Sequence, residues 1–449
     1  MSYVFTGTES ADTFSATDPS GGTATGLGGA DKLAGFTGND TLYGNDGADT
    51  LQGNAGDNLI YGGIDNDSIT ALDGKNLIFG NAGADSITTG NGNNTIVGGD
   101  DSTDGADSIQ FGNGNNLVYG NGGADTINGG TGVNTVAGGA GDDRIILSGP
   151  VSGGDFIYGN NGSDTIAAIA GENTLVGGAD DDFIFGGNGN DLLYGNKGAD
   201  TIQGNGGNNT IVGGDDSTDG SDLITAGSGN DLIFGNGGND TINSFGGNDT
   251  AVGGAGNDII IVGSNATNFN FIYGNMGDDT ITGNSMVAQT ITGGQGNDII
   301  KSGSGNDLLY GNLGDDSIAA GGGADSVLAG DGIDTVNFIA TGSDAAHPDA
   351  WQDLVFGTDK LDVNGTIFAA GAASGLAGSD LATVASNAMA AVAGASGATA
   401  AQQVAAQFSL GGQMYLVVQQ DANKTYDAGT DLLIDITGAT GTVTKTDFI

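Results

Sequence analysis

The sequence predicts an all-β protein: a parallel β-solenoid over residues 26–337, followed by a smaller C-terminal region of β structure with some helix. Three observations carry this. Gly makes up 91 of the 449 residues while Pro occurs three times and Cys never. The charged residues are almost all acidic, 55 against 8, for a formal charge of -47. Ile, Leu, Val, Phe and Tyr recur every nine residues. Collagen would need Gly at every third position with abundant Pro, a disulfide scaffold needs Cys, and a nucleic-acid binder needs the opposite charge. So acidic a chain suggests disorder, but 37% of its residues are hydrophobic and fall on a fixed beat.

At the front, residues 1–25 read as a degenerate repeat or N-terminal cap. Met1 to Leu33 lacks a basic start followed by an apolar run, so a Sec-type signal peptide is not expected. The nine-residue unit begins at Gly26. Clear copies are Gly44-Asn-Asp-Gly-Ala-Asp-Thr-Leu-Gln52 and Gly186-Gly-Asn-Gly-Asn-Asp-Leu-Leu-Tyr194, and 33 copies follow in phase to Asn337. Insertions of three or four residues fall around Asp100 to Asp104, Pro150, Asp215 to Asp219 and Asn265 to Asn268, with one extra residue near Asn284. A longer period overlies the short one: NNTIVGGDDSTDG at Asn93–Gly105 returns unchanged at Asn208–Gly220.

Six residues of Gly, Asn and Asp make a tight turn with several positive-φ positions. The next three make a short strand whose middle side chain points inward. Two such units complete one coil, and stacked coils bury a thin aliphatic core from the eighth positions, such as Leu51, Ile69, Ile87 and Ile127. The turns then stack along two edges, bringing an Asp about every 4.8 Å, the strand spacing. Carboxylates that close repel. A hard cation removes the problem, and calcium takes six to eight oxygen ligands, backbone carbonyls included. The alternative is that these Asp residues serve only as Asx-turn formers.

The pattern G-G-x-G-x-D-x-apolar-x resembles the calcium-binding repeat of RTX (repeats-in-toxin) proteins, also called the hemolysin-type repeat, and it covers most of the chain. The resemblance implies a right-handed parallel β-roll in which sixth-position Asp residues of successive turns on one edge, helped by loop carbonyls, grip calcium ions. Multiple calcium ions are therefore the expected cofactor. Carried onto this chain, the metal ligands on the odd edge are Asp31, Asp49, Asp67, Asp85, Asp107, Asp125, Asp143, Asp164, Asp182, Asp200, Asp222, Asp240, Asp258, Asp279, Asp298, Asp316 and Asp334. On the even edge they are Asp40, Asp155, Asp191, Asp231, Asp249, Asp307 and Asp325. The other even copies depart from the pattern, with Asn58, Asn76, Asn94, Asn116, Asn134, Asn173, Asn209, Asn270 and Gln289 at the sixth position. That edge is expected to be partly an Asn ladder whose side-chain amides bond one another without metal.

The outward strand positions differ between the faces. On the odd face they are mostly polar, as in Thr50/Gln52, Ser86/Thr88, Thr126/Asn128 and Thr201/Gln203. On the even face large pairs alternate with small ones. The large pairs are Leu77/Phe79, Leu117/Tyr119, Phe156/Tyr158, Leu192/Tyr194, Leu232/Phe234 and Phe271/Tyr273; the small ones include Thr95/Val97 and Thr135/Ala137. The resulting ridges lie roughly 10 Å apart. So large an apolar strip needs a cover. A second copy interlocking ridge into groove, the C-terminal region folding back, and the sugar rings of a polysaccharide are the three candidates, and a homo-oligomer or higher assembly is the expected one.

Residues 338–449 lack the nonapeptide. Trp351-Gln-Asp-Leu-Val-Phe-Gly-Thr-Asp-Lys-Leu-Asp362 resembles the segment that caps the roll in serralysin-type RTX proteins. Helical potential lies near Leu381 to Ala393 and Ala400 to Phe408, and Met414–Val418 and Asp431–Ile436 read as strands. Thr446-Asp-Phe-Ile449 is similar to the uncleaved C-terminal signals of type I secretion substrates, which implies export by type I secretion machinery. The most apolar stretch, Ala369 to Gly397, is too interrupted to span a membrane.

Catalytic chemistry is thin. The single His, His347, excludes H-E-x-x-H and multi-His zinc sites; it reads as a surface loop residue. No Cys nucleophile and no G-x-S-x-G elbow occur, so no enzyme is expected. The reading is a calcium-folded structural protein, secreted to the extracellular space or cell surface of a Gram-negative-type bacterium, assembling into a surface layer (S-layer), filament or matrix. A polysaccharide-binding RTX adhesin and a soluble exported calcium-binding protein are the alternatives.

Overall fold

The computed structural model describes residues 2–102, 104–148, 153–217, 219–263, 270–283, 286–338, 348–356, 358–362, 367–372, 381–396, 403–410, 413–420, 426 and 431–448. His347 and the insertions at Pro150, Asn265–Asn268 and Asn284 lie outside them. The chain divides into two compact units, Met1–Ser228 and Gly229–Ile449, and the division falls inside the repeat tract.

In the first unit each coil contributes two short strands, such as Thr41–Asp46 and Thr50–Asn54. Strands of like parity pair in parallel. Leu42 stands beside Ile60 and Ile60 beside Ile78 on the even face; Leu51, Ile69 and Ile87 do the same on the odd face. These aliphatic side chains are fully buried, and their neighbours on either side are half-buried or exposed. That is the inward-facing eighth position of the repeat. The register survives the four-residue insertion after Gly99, since Ile87 pairs with Ile109 and Ile96 with Val118, so the insertion leaves the phase of the stack unchanged. Residues before Gly26 already form coil: Phe5 pairs with Ala24 and Phe14 with Leu33. The Phe5 and Phe14 rings stack at 4.5 Å over that first coil.

The second unit continues the pattern through Ile233, Ala251, Ile272, Ile291, Leu309 and Val327 on one face. On the other run Ile242, Ile260, Ile281, Ile300, Ile318 and Val336. Both ladders extend one strand beyond the nonapeptides. Trp351 pairs beside Val327 and Leu361 beside Val336. Trp351 is wholly buried, with its indole N–H donated to Asp353 at 3.1 Å. The D-K-L-D segment is thus the closing rung. From there Asp349–Trp351 pairs with Leu432–Asp435, which continues antiparallel into Gln413–Val418 and Gln403–Leu410. The helix Leu381–Ser396 covers that sheet through Val384, Ala388 and Met389.

Two expectations need correction here. Gln403–Phe408 is strand, not helix, while 400–402 lie outside the described residues. The propensity of Ala and Gln for helix is a few tenths of a kcal/mol per residue. It is outweighed by burial of Val404, Ala406 and Phe408 beneath the helix and by pairing with Gln413–Val418. The odd face is also less polar than expected, because Phe183, Leu223, Ile259, Ile261 and Ile299 stand exposed on it.

Candidate metal-binding edges

Each turn of the odd edge places one carboxylate by the same local geometry. In the copy beginning at Gly44, Asn45 and Gly47 adopt positive φ, 77° and 114°. Asn tolerates that region better than other side chains. A Cβ on Gly44 would collide with the Asp49 carboxylate and with the carbonyl oxygen of Gly62 in the next coil, so only Gly fits. Asp49 Oδ1 accepts the Asp31 N–H at 2.7 Å, and the Asp49 N–H is donated to Asp67 Oδ1 at 2.8 Å. The same rung recurs at Asp85, Asp107 and Asp125, and in the second unit at Asp279, Asp298 and Asp316.

One oxygen of each carboxylate is therefore committed to the ladder. The other has no donor. Oδ2 is buried and without a hydrogen-bond partner in Asp31, Asp49, Asp67, Asp85, Asp107, Asp125, Asp143, Asp164, Asp182 and Asp200, and likewise in Asp258, Asp279, Asp298, Asp316 and Asp334. Asp222 and Asp240 are buried in the same rows. Burial, with repulsion from neighbouring carboxylates, pushes Asp67, Asp107 and Asp182 up to about 8, and Asp49 to about 6. A buried charge without a partner is costly. Stacked orphan carboxylate oxygens beside turn carbonyls make a donor set that suits a hard divalent cation.

The even edge solves the same problem with an amide. Asn58 donates its Nδ2 to Asn76 Oδ1 at 3.0 Å, and also to the carbonyls of Gly56 at 3.1 Å and Asn54 at 3.3 Å in its own turn. Asn76, Asn94 and Asn116 repeat the step to Asn94, Asn116 and Asn134, each at 3.0 Å, and Asn134 passes it to Asp155. The amide NH₂ thus fills with its own hydrogens the place where an odd-edge Asp presents a bare oxygen.

The even-edge Asp residues divide. Asp40 Oδ2 accepts the Phe36 N–H at 2.8 Å, Asp249 Oδ2 accepts the Ser244 hydroxyl, and Asp155 Oδ1 takes both donors of Asn134. Asp191, Asp307 and Asp325 keep a buried Oδ2 without a donor, and Asp231 is buried in the same edge. Asn173 donates to Asp191 at 3.1 Å, and Asn209 and Asn270 are buried. Gln289 is buried with both amide atoms unpaired.

The model of the RTX calcium-binding nonapeptide repeat matches this chain over residues 22–145, 151–285 and 288–336, well over half its length. The chain belongs to the RTX calcium-binding nonapeptide-repeat family. As an RTX protein it binds multiple calcium ions. Among solved structures, a hyperactive, Ca2+-dependent, β-helical antifreeze protein from an Antarctic bacterium is similar at 18% identity. That match covers 74% of this chain and 84% of the other, with a TM-score of 0.21. No curated protein matches significantly. Among the described residues no helix is long and apolar enough to cross a membrane.

Two rungs of the RTX odd edge lie outside the motif. Asp12 accepts the Thr8 N–H at 2.6 Å on Oδ2, and Asp359 Oδ2 accepts the Val355 N–H at 2.7 Å. These carboxylates, near the two ends of the repeat tract, are satisfied by a donor four residues earlier, unlike the interior ones. Their only sequence signal is an Asp one residue before the outward–inward–outward triplets Thr13-Phe14-Ser15 and Lys360-Leu361-Asp362. The even-face side chains emerge as the spacing requires. Tyr119 and Tyr158 flank Ala137, and Leu117 and Phe156 flank Thr135. Leu77, Tyr119, Phe156, Tyr158, Leu232 and Phe271 are exposed, whereas Phe79, Leu117, Leu192, Tyr194, Phe234 and Tyr273 are half-buried. Tyr43, Tyr61 and Phe79 form a stacked ladder at 5.2 and 4.9 Å that the alternation does not anticipate.

Proposed function

We propose that this RTX chain is a secreted, non-catalytic structural protein that folds on binding calcium along its odd edge and assembles through its apolar even face. The observation that carries the reading is the row of buried Asp Oδ2 atoms without donors, set against the amide-satisfied row opposite. The odd-edge Asp residues, with Asp191, Asp231, Asp307 and Asp325, would hold the ions together with turn carbonyls. Asp40 and Asp249, whose Oδ2 already accepts a protein donor, would hold them less well. The bound ions supply positive charge that offsets the -47 of the chain. Without them the stacked carboxylates repel and the odd turns lose their reason to stack.

Export by type I machinery is supported by the resemblance of the last residues to such signals; folding on calcium would keep the chain loose where calcium is scarce. Thr446 accepts the Lys360 ammonium through its carbonyl at 2.7 Å, and Phe448 bridges to Leu361, so this segment docks on the closing rung once the chain is folded. Assembly is supported by the exposed alternating ridges of the even face. A metal count on purified protein, with far-UV circular dichroism with and without EDTA, tests the first part; full β content in EDTA would sink it. Electron microscopy and sedimentation with calcium test the second. Ordered assemblies that loosen in Tyr119→Ser/Tyr158→Ser/Tyr194→Ser are expected, whereas a persistent monomer that retains polysaccharide would favour the adhesin reading.

A further inference from the structure

The insertion between Gly98 and Asp107 rebuilds one turn of the odd edge with a side chain. In ordinary odd turns the N–H of the fourth residue is donated to a backbone carbonyl one coil on, as Gly47 to Ile64 at 3.1 Å and Gly162 to Ala179 at 3.1 Å. Across the insertion the carbonyl is replaced. Gly83 donates its N–H to Asp104 Oδ1 at 2.8 Å, and in the duplicated block Gly198 donates to Asp219 Oδ1 at 3.0 Å.

A neutral acceptor has thereby become a carboxylate, and its second oxygen is left over. Oδ2 of Asp104 and of Asp219 is buried and has no hydrogen-bond partner. Each lies where a Cβ on Gly99 or Gly214 would strike it, so the absence of that Cβ makes the space for it. The neighbouring glycine, Gly98, is packed in the same way by Asp107 Oδ2, and Asp85 and Asp107 are each 2% exposed with their own Oδ2 unpartnered. Two orphaned oxygens thus flank one stretch of backbone. The charge of Asp104 raises the carboxyls of Asp85, Asp107 and Asp125, and that of Asp219 raises Asp200, behind the larger effect of burial. If hydrogen bonding alone were needed, a carbonyl would serve without this repulsion. The glycine N–H to Asp Oδ1 bond and the orphaned Oδ2 packed against a glycine occur in both blocks.

We propose that Asp104 and Asp219 are calcium ligands contributed by the insertions, and that these two turns hold the most tightly bound ions of the first unit. The inference rests on the calcium-edge reading above. Among the described residues no three acidic side chains converge on one point. Asp104 therefore acts with backbone carbonyls, in the field of Asp85 and Asp107, rather than as a member of a carboxylate triad. Affinity in oxygen sites rises with the number of ligand charges, and here the count is raised locally while the register of the flanking strands is kept.

Calcium titration of the full chain by isothermal calorimetry tests this, with circular dichroism at saturating calcium to confirm folding. Asp→Asn keeps the Oδ1 acceptor for the glycine N–H and removes the charge. Asp104→Asn/Asp219→Asn should weaken the tightest class of sites by roughly tenfold, and each single variant should affect one site of that class. Asp67→Asn, in an ordinary turn, should leave that class intact and weaken a looser one. Asp100→Asn, on the exposed part of the same loop, should change nothing. A tightest class unmoved by the double variant while Asp67→Asn is effective overturns this inference alone. An Asp100→Asn effect as large as that of Asp104→Asn also overturns it, by reducing the loop to general charge. Absence of calcium binding in the unmodified chain overturns the calcium-edge reading beneath it.

Discussion

At the scale of a residue, one atom of the sixth side chain sets what an edge needs. Asp67 and Asn76 both accept a backbone N–H on Oδ1, from Asp49 at 2.8 Å and from Asn58 at 3.2 Å. They differ in the second atom: Oδ2 of Asp67 has no donor, while Nδ2 of Asn76 donates to Asn94 and to the Leu72 carbonyl. Asn76→Asp should therefore replace a satisfied amide by an orphan carboxylate, at a cost of about 1–3 kcal/mol. The cost should appear in urea unfolding at limiting calcium and shrink as calcium is raised. An equal loss at all calcium levels would mean that the even edge cannot accept an ion. Asp or Asn at the sixth position was readable from the repeat. That Asp40 and Asp249 find their donors in Phe36 and Ser244 was not, because those bonds depend on how the individual turn closes.

At the scale of the element, a short strand buries one inward side chain, or two where a residue such as Phe111 or Leu147 ends it, and gains stability only by stacking. Ile87 is fully buried between Ile69 and Ile109. Ile87→Ala should cost about 2–5 kcal/mol through lost burial and the cavity left behind. In a repeat stack the loss should fall on neighbouring coils first, so hydrogen exchange should rise around residues 68–111 before distant coils respond. Uniform exchange along the first unit would show that its coils unfold as one. The period legible in the sequence gives these strands and their inward residues directly. The strand at Gln403–Leu410 escaped it because its composition favours helix and only the sheet and helix around it decide otherwise.

For the whole molecule, charge and folding are linked through the odd edge. Burial raises Asp67, Asp107 and Asp182 to about 8, and Asp49, Asp85 and Asp143 to about 6, from an unfolded value near 4. A folded-state value above the unfolded one means that protonation favours the fold. In metal-free protein this stabilisation is complete below about pH 4 and disappears as pH rises through about 6 to 8. Metal-free chain should accordingly gain β content by circular dichroism on acidification from pH 8 to 4.5. With calcium the dependence reverses, and apparent affinity should climb over the same window because protons compete for the ligand oxygens. A metal-free chain equally unstructured at both pH values would show that the carboxylates are not what holds it open.

The sequence by itself determined the coil, its aliphatic ladders and the alignment of acidic residues along two edges, since each follows from a nine-residue period and the two-sidedness of a strand. Only the tertiary structure decided which carboxylate oxygens are orphaned. It also decided that the ladders run on through Trp351 and Leu361, and that Asp104 and Asp219 turn back into the stack. A repeat fixes which residues lie near one another. Whether a buried oxygen has a donor depends on the few atoms around it, and those come from loops and closing strands that the period does not describe.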